Sequence, residues 1–257
     1  MTRIAFFVFG LVCHAMFLVV FLYMVCFVGD LPVPRTIDGP LTGDTPTYLK
    51  LLIDAALLAL FAAPHSVMAR PAFKRVWTRV IPPAIERSVY VLIANLCVIL
   101  LMWQWRPIGP VVCDVHGIVG RALVWTLFAA GWLLVPLASL MINHFDLFGT
   151  RQVWMHLKQQ VATEVTFRTP MLYKVVRHPL YVGWIVAFWA TPTMTLGHVI
   201  FAALMTVYIF IAIPMEERDL VKVYGAQYEE YRRRVPALVP CINGRERAMP
   251  EAQVAAQ

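Results

Sequence analysis

The sequence predicts an all-α fold, a polytopic transmembrane bundle of about six helical spans, and three observations carry that prediction. Hydrophobic residues make up 60% of the chain and charged residues only 14%, too apolar a balance for a surface that faces water. The apolar residues gather into six windows, at about 4–28, 48–63, 88–105, 119–141, 180–195 and 197–214. Each is near the length that crosses roughly 30 Å of hydrocarbon as a helix.

Taken in order, the first window runs from Ile4 to Val28 without a charge, longer than the apolar core of a secretory signal, so it reads as a retained span. The second contains Asp54, one turn from Lys50, and these two are expected to pair. The third ends at Trp103, Trp105 and Arg106, residue types that anchor a helix at a membrane interface. The fifth and sixth windows are separated only by Thr191, Pro192, Thr193 and Gly197, the turn of a helical hairpin. One unbroken helix across both would be too long for the bilayer. After the last span, Tyr224, Tyr228 and Tyr231 fall on one helical face, as in an amphipathic helix at the headgroups. Residues 1–240 are expected to form one domain, with a poorly ordered polar tail over 241–257.

Charge placement orients the bundle. The net charge is +7, but the basic residues sit in loops between apolar runs, which argues for topology and against a nucleic-acid partner. With both termini inside, only Arg35, Lys50, Arg106 and Arg121 of the 22 lysines and arginines lie on the outer side. The termini are therefore expected in the cytoplasm. The five cysteines are scattered and form no CxxC pair, so neither a zinc site nor a disulfide is indicated, and no metal is expected.

That topology gathers polar residues at the inner ends of the spans: His65, Glu86 with Arg87, His144 with Asp146, Arg177 with His178, and Glu216 with Glu217. In Arg177-His178-Pro179-Leu180-Tyr181-Val182-Gly183, Pro179 suits the first turn of a helix. The free amides there, beside Arg177, would form an anion site for a ligand carboxylate. Gly183 would let a bulky group approach the helix. Glu216 and Glu217 would hold a cationic or hydroxylated ligand. His144 and Asp146, two residues apart, would form an acid/base pair if a turn folds them together. Each cluster also has an ordinary reading, as helix caps, dipole partners or headgroup contacts.

The order Arg177 to Gly183, an apolar hairpin, Glu216-Glu217, then Gly225, Tyr228, Tyr231 and Val235-Pro236 resembles the isoprenylcysteine carboxyl methyltransferase superfamily over roughly residues 170–240. The resemblance implies S-adenosylmethionine as cofactor, held from the cytoplasmic side by Arg177, His178, Pro179, Tyr181, Gly183, Glu216, Glu217 and Tyr228. The segments from His65 to Arg70, Pro82 to Ser88, Trp103 to Pro107 and Asn143 to Gly149 look like those of bacterial methanethiol S-methyltransferases. That narrower likeness, covering nearly the whole chain to Pro240, implies methylation of methanethiol to dimethyl sulfide at a bacterial inner membrane. The competing readings are methylation of a larger amphipathic acceptor, such as an isoprenoid, lipid or prenylcysteine carboxylate, and a non-enzymatic subunit linked to nitrogen-oxide metabolism. No obligate protein partner is indicated.

The implied chemistry sets a requirement. A simple alkyl thiol ionises near pH 10, so about one molecule in a thousand is thiolate at neutrality, a deficit of about 4 kcal/mol. His144, oriented by Asp146, is the expected base. Phe145, Phe148 and Trp184 are expected to shape a small dry pocket, with His65, Glu86 and Arg87 on the acceptor side.

Overall fold

The computed structural model describes residues 1–40, 45–160 and 166–240; the expected tail over 241–257 lies outside the described residues. Five helices are long and apolar enough to cross a membrane, which makes the chain an integral membrane protein. They are α1 (Thr2–Val28), α2 (Thr47–Met68), α4 (Pro83–Gln104), α5 (Ile118–Ile142) and α9 (Leu196–Tyr224). Shorter pieces are α3 (Pro71–Trp77), α6 (His144–Leu147), α7 (Thr150–Leu157), α8 (Pro179–Trp189) and α10 (Ala226–Arg234). Large apolar side chains such as Val19, Leu22, Leu52, Leu123 and Phe210 point outward, where lipid tails replace water as the solvent.

The fifth apolar window differs most from expectation. Only Pro179–Trp189 is helical, about 16 Å long and too short to span the hydrocarbon by itself. The chain then extends, and β2 (Thr193–Thr195) pairs antiparallel with β1 (Val111–Asp114). The β-branched runs Val111-Val112 and Thr193-Met194-Thr195 favour strand, and the prolines at 110 and 192 bar helix there. α8 and α9 nevertheless lie side by side in opposite directions, with Phe188 on Phe201 at one end and Tyr181 bonded to Glu216 at the other.

α5 and α8 make the closest crossing. A Cβ on Gly131 would lie 2.6 Å from the Ala187 amide nitrogen, and one on Gly183 would lie 3.0 Å from the Gly131 carbonyl. Small residues let the two backbones touch, the usual source of helix affinity in lipid. Gly183 therefore serves helix packing; what approaches it is the α5 backbone, not a ligand.

Two apolar cores fill the bundle. One, around Phe27, Ile37, Leu101, Trp105, Trp132 and Phe201, lies towards the β1–β2 end. Here Trp105 is only 2% exposed and donates to the Ile37 carbonyl at 3.2 Å, so it is a core residue and only Trp103, 61% exposed, fits the anchor role. Asp54 accepts from the Arg106 backbone amide at 2.9 Å, closing the end of α4 where a pairing with Lys50 had been expected. The other core, Cys13, Met68, Tyr90 and Val91 with Phe17 and Phe148, underlies the polar clusters.

Candidate active site

The first cluster is built where α8 begins and α9 ends. Pro179 takes the first helical position and leaves His178 as the cap residue. Glu217 sits on the α9 face turned towards it, accepting from Arg177 Nε at 2.7 Å and standing 3.0 Å from His178 Nε2. Arg177 also donates to the Arg232 and Val235 carbonyls. The amides of Arg177 and His178 are taken by the Pro236 and Ala237 carbonyls. Arg177 is therefore a clamp that closes α9 and the chain after α10 onto the start of α8. It and those two amides are spent inside the protein.

Glu216, one residue earlier, behaves differently. Its side chain is 41% exposed; one oxygen accepts from Tyr181 OH at 2.8 Å and stands 3.9 Å from His178 Nδ1. The other carries no protein hydrogen bond among the described residues. Below it, Tyr228 is buried against Phe167 and Tyr231. Burial, then the charges of Glu217 and Glu216, push its phenol well above the usual range, and burial followed by Glu216 does the same to Tyr173. Both phenols stay protonated; Tyr173 donates to the Ala138 carbonyl and Tyr231 to the Tyr173 carbonyl.

The second cluster surrounds His144. The expected pairing with Asp146 is not made: Asp146 accepts twice from Arg151, at 3.0 and 3.1 Å. The helix α6 is a single turn, and it directs the two side chains to different neighbours. His144 Nδ1 instead meets Ser139 Oγ at 2.8 Å, and its Nε2 meets His14 Nε2 at 3.1 Å. Ser139 spends its one hydrogen on the Pro136 carbonyl, so in the neutral ring His144 Nδ1 donates to it and Nε2 accepts from His14. Burial, then His14, holds the His144 imidazole below its ordinary value. His14 is the thirteenth residue of α1, about 18 Å from its start, so the turn after α5 that carries His144 packs against the middle of α1.

Phe148 packs on His14, His144 and Phe17, and Phe145 borders the same pair. Trp184 is elsewhere, against Trp132, Phe188 and Phe21. The three aromatics expected to line one pocket are thus joined only through Phe17 and Phe21.

A third cluster was only partly visible beforehand. His65 is stacked on Phe61, and the Tyr90 hydroxyl lies 3.0 Å from its Nδ1 and 3.2 Å from its Nε2. Ser66 Oγ meets Tyr208 OH at 2.9 Å, and Arg70 pairs with Asp219 at 2.9 Å, tying α2 to α9. Arg87 covers the Tyr90 ring and donates to the Leu147 carbonyl. Glu86 turns away, 3.9 Å from Lys74 Nζ. Burial first, then Arg87, lowers the Lys74 ammonium, with Glu86 opposing. Arg70 reaches Asp219, one turn of α9 beyond Glu216, so this cluster adjoins the first. Tyr90 and Tyr208 were missed in the sequence. The available signal was a hydroxyl inside an apolar run, which in lipid needs a partner.

Comparison with known proteins follows this geometry. A family model described as "Protein of unknown function (DUF1295)" matches residues 110–235, which hold the first cluster and His144. No solved structure matches. A methanethiol S-methyltransferase of Mycobacterium tuberculosis is 48% identical over 91% of this chain and 95% of its own length. One from Crocosphaera subtropica is 47% identical over 91% of each chain, and methanethiol S-methyltransferase 1 of Bradyrhizobium diazoefficiens is 49% identical over 91% of this chain and 81% of its own. Identity at this level, sustained along nearly the full length of relatives that carry one name, means that the chain belongs to the methanethiol S-methyltransferase family.

Proposed function

We propose that the protein methylates methanethiol to dimethyl sulfide, with S-adenosylmethionine as methyl donor. The observation that carries this is that α9 joins the two clusters: its Glu216 is bonded to Tyr181 of α8, and its Tyr208 and Asp219, on either side of Glu216 along the helix, are bonded to Ser66 and Arg70 of α2. The methyl acceptor named in the relatives supplies the substrate. The donor has an ammonium group and two ribose hydroxyls, all hydrogen-bond donors, and the half-exposed Glu216 with a free oxygen fits them. Bound there, it supplies a methyl group on a sulfonium, open to in-line displacement.

The chain's own residues do the rest. Glu216, His178 and Tyr181 bind and orient the donor. Arg177, Glu217, Pro179 and Tyr228 fix those three in place, and Gly183 sets the depth of α8 against α5. Holding donor and thiol in line turns a bimolecular collision into a unimolecular step. Aromatic side chains such as Phe61 and Tyr90 keep water from the acceptor.

The same reading gives the chain six crossings, the fifth completed by the extended stretch after α8. Both termini, α10 and the site face the cytoplasm of a bacterial inner membrane, in keeping with 18 of the 22 lysines and arginines on that side. Purified protein in lipid nanodiscs, given donor and methanethiol, is expected to release dimethyl sulfide into the headspace. Protein that binds the donor yet releases none would move the reading to a larger acceptor.

A further inference from the structure

The reaction needs a group to take the thiol proton, and the structure offers two histidines. His144, expected from the sequence, has its nitrogens committed: Nδ1 donates to Ser139 and the Nε2 lone pair faces His14 at 3.1 Å. It is also remote in connectivity. Among the described residues its partners Ser139, His14, Phe145 and Phe148 lie on α5, α1 and the α6 turn, none on α8 or α9.

His65 is arranged the other way. Its ring is held between Phe61 and Tyr90, and its only hydrogen-bonding neighbour among the described residues is one hydroxyl placed between both nitrogens. That hydroxyl has one hydrogen and also reaches the His65 carbonyl at 3.3 Å. With the hydrogen on the carbonyl, the phenol oxygen accepts from one ring N–H and the other nitrogen keeps a free lone pair. Arg87 lies over the Tyr90 ring and Arg70 donates to the Ser66 carbonyl; their charge favours a thiolate formed there and opposes a proton left alone on the ring, so the imidazolium is held only beside the thiolate it creates. Ser66, next to His65, bonds to Tyr208 of α9, and Arg70 bonds to Asp219, one turn beyond Glu216, so the ring stands beside the helix that carries the donor cluster.

We propose that His65 is the proton acceptor of the reaction, and that Tyr90, with Ser66 and Tyr208, lines the seat of a small thiol between α2, α4 and α9. The step is one proton transfer. The thiol S–H bond breaks with its electron pair staying on sulfur, and an N–H bond forms on the imidazole. The methylated product carries no acidic hydrogen, so the proton leaves His65 for the inner aqueous face. One proton is released per turnover and the ring returns neutral. Tyr90 acts as a positioning residue, setting which nitrogen is free.

This rests on the methanethiol reading, and the test separates the two. In wild-type protein without donor, added methanethiol is expected to show ultraviolet thiolate absorption at a pH well below its ionisation in buffer. His65→Asn is expected to abolish that absorption while binding S-adenosylmethionine as wild type does. Its turnover at pH 7 falls by about 100-fold or more, and the loss shrinks as pH approaches about 10, where solution supplies the thiolate. If the asparagine variant fails to bind donor, Tyr90→Phe decides, because it keeps the imidazole; a displaced lower limb of the kcat/KM profile supports the proposal and an unchanged limb overturns it. Unchanged absorption and pH profile in a donor-binding His65→Asn, or their loss in His144→Asn instead, would also overturn it. A donor-bound wild type that forms no dimethyl sulfide overturns the methanethiol reading and this proposal with it.

Discussion

Removing the Glu217 carboxylate should unfasten the end of the molecule that carries the donor cluster. Arg177 and Glu217 have side chains 11% and 8% exposed and meet at 2.7 Å. Breaking a buried ion pair by deleting one partner costs about 3–5 kcal/mol, because a desolvated charge is left behind. In Glu217→Ala the guanidinium keeps the Arg232 and Val235 carbonyls, so the lower end, about 3 kcal/mol, is the expected loss. At about 1.4 kcal/mol per decade this is roughly a 100-fold rise in opening of the segment after α10. Hydrogen exchange on the Arg177 and His178 amides, which are bonded to Pro236 and Ala237, reads that opening directly. Donor affinity should fall in parallel, since His178 loses the same carboxylate. The double variant Arg177→Met with Glu217→Leu removes both charges and should recover most of the loss. Additive effects with a coupling below about 0.5 kcal/mol would refute the clamp.

Gly131→Val should lower the thermal midpoint by an amount equivalent to about 1–3 kcal/mol, because the new side chain starts 2.6 Å from the Ala187 backbone nitrogen and α5 and α8 must part. Trp105→Phe should cost about 1 kcal/mol in denaturant unfolding, chiefly from stranding the Ile37 carbonyl. His144, held below its unfolded value by burial and His14, contributes stability that is present above about pH 6.5 and lost as pH falls through its folded pKa. The thermal midpoint of wild type should therefore drop more steeply than that of His144→Asn on acidification below that pH. Parallel curves would show that His144 titrates alike in both states.

Much of the fold was legible because lipid simplifies the code: a window of apolar residues long enough to cross is a helix, and five of the six windows became one. The fifth was misjudged in length because apolarity is shared by helix and strand. Val111, Cys113 and Asp114 pair with Thr195, Met194 and Thr193, about 80 residues away, and no local pattern announces such a partner. Around the site, Arg177, His178, Tyr181, Glu216 and Glu217 were legible as a group because a helix pair returns the chain to its starting depth. Their division of labour was not. Arg177 and Glu217 spend their charges on each other and Glu216 is left free, a difference of one residue that depends on which way α9 is rotated. His144 and Asp146 misled because adjacency in sequence says nothing of direction on a one-turn helix. Ser139 and His14, the groups His144 meets, come from the ends and middles of spans.

The most direct test of the central claim follows the methyl group itself. Protein in nanodiscs should be given S-adenosylmethionine labelled in its methyl group, together with methanethiol. The account predicts label in dimethyl sulfide, one methyl for each S-adenosylhomocysteine formed and one proton released, with the rate abolished by Glu216→Ala. Label that stays on the donor, or passes to lipid or to protein instead of the thiol, would contradict it.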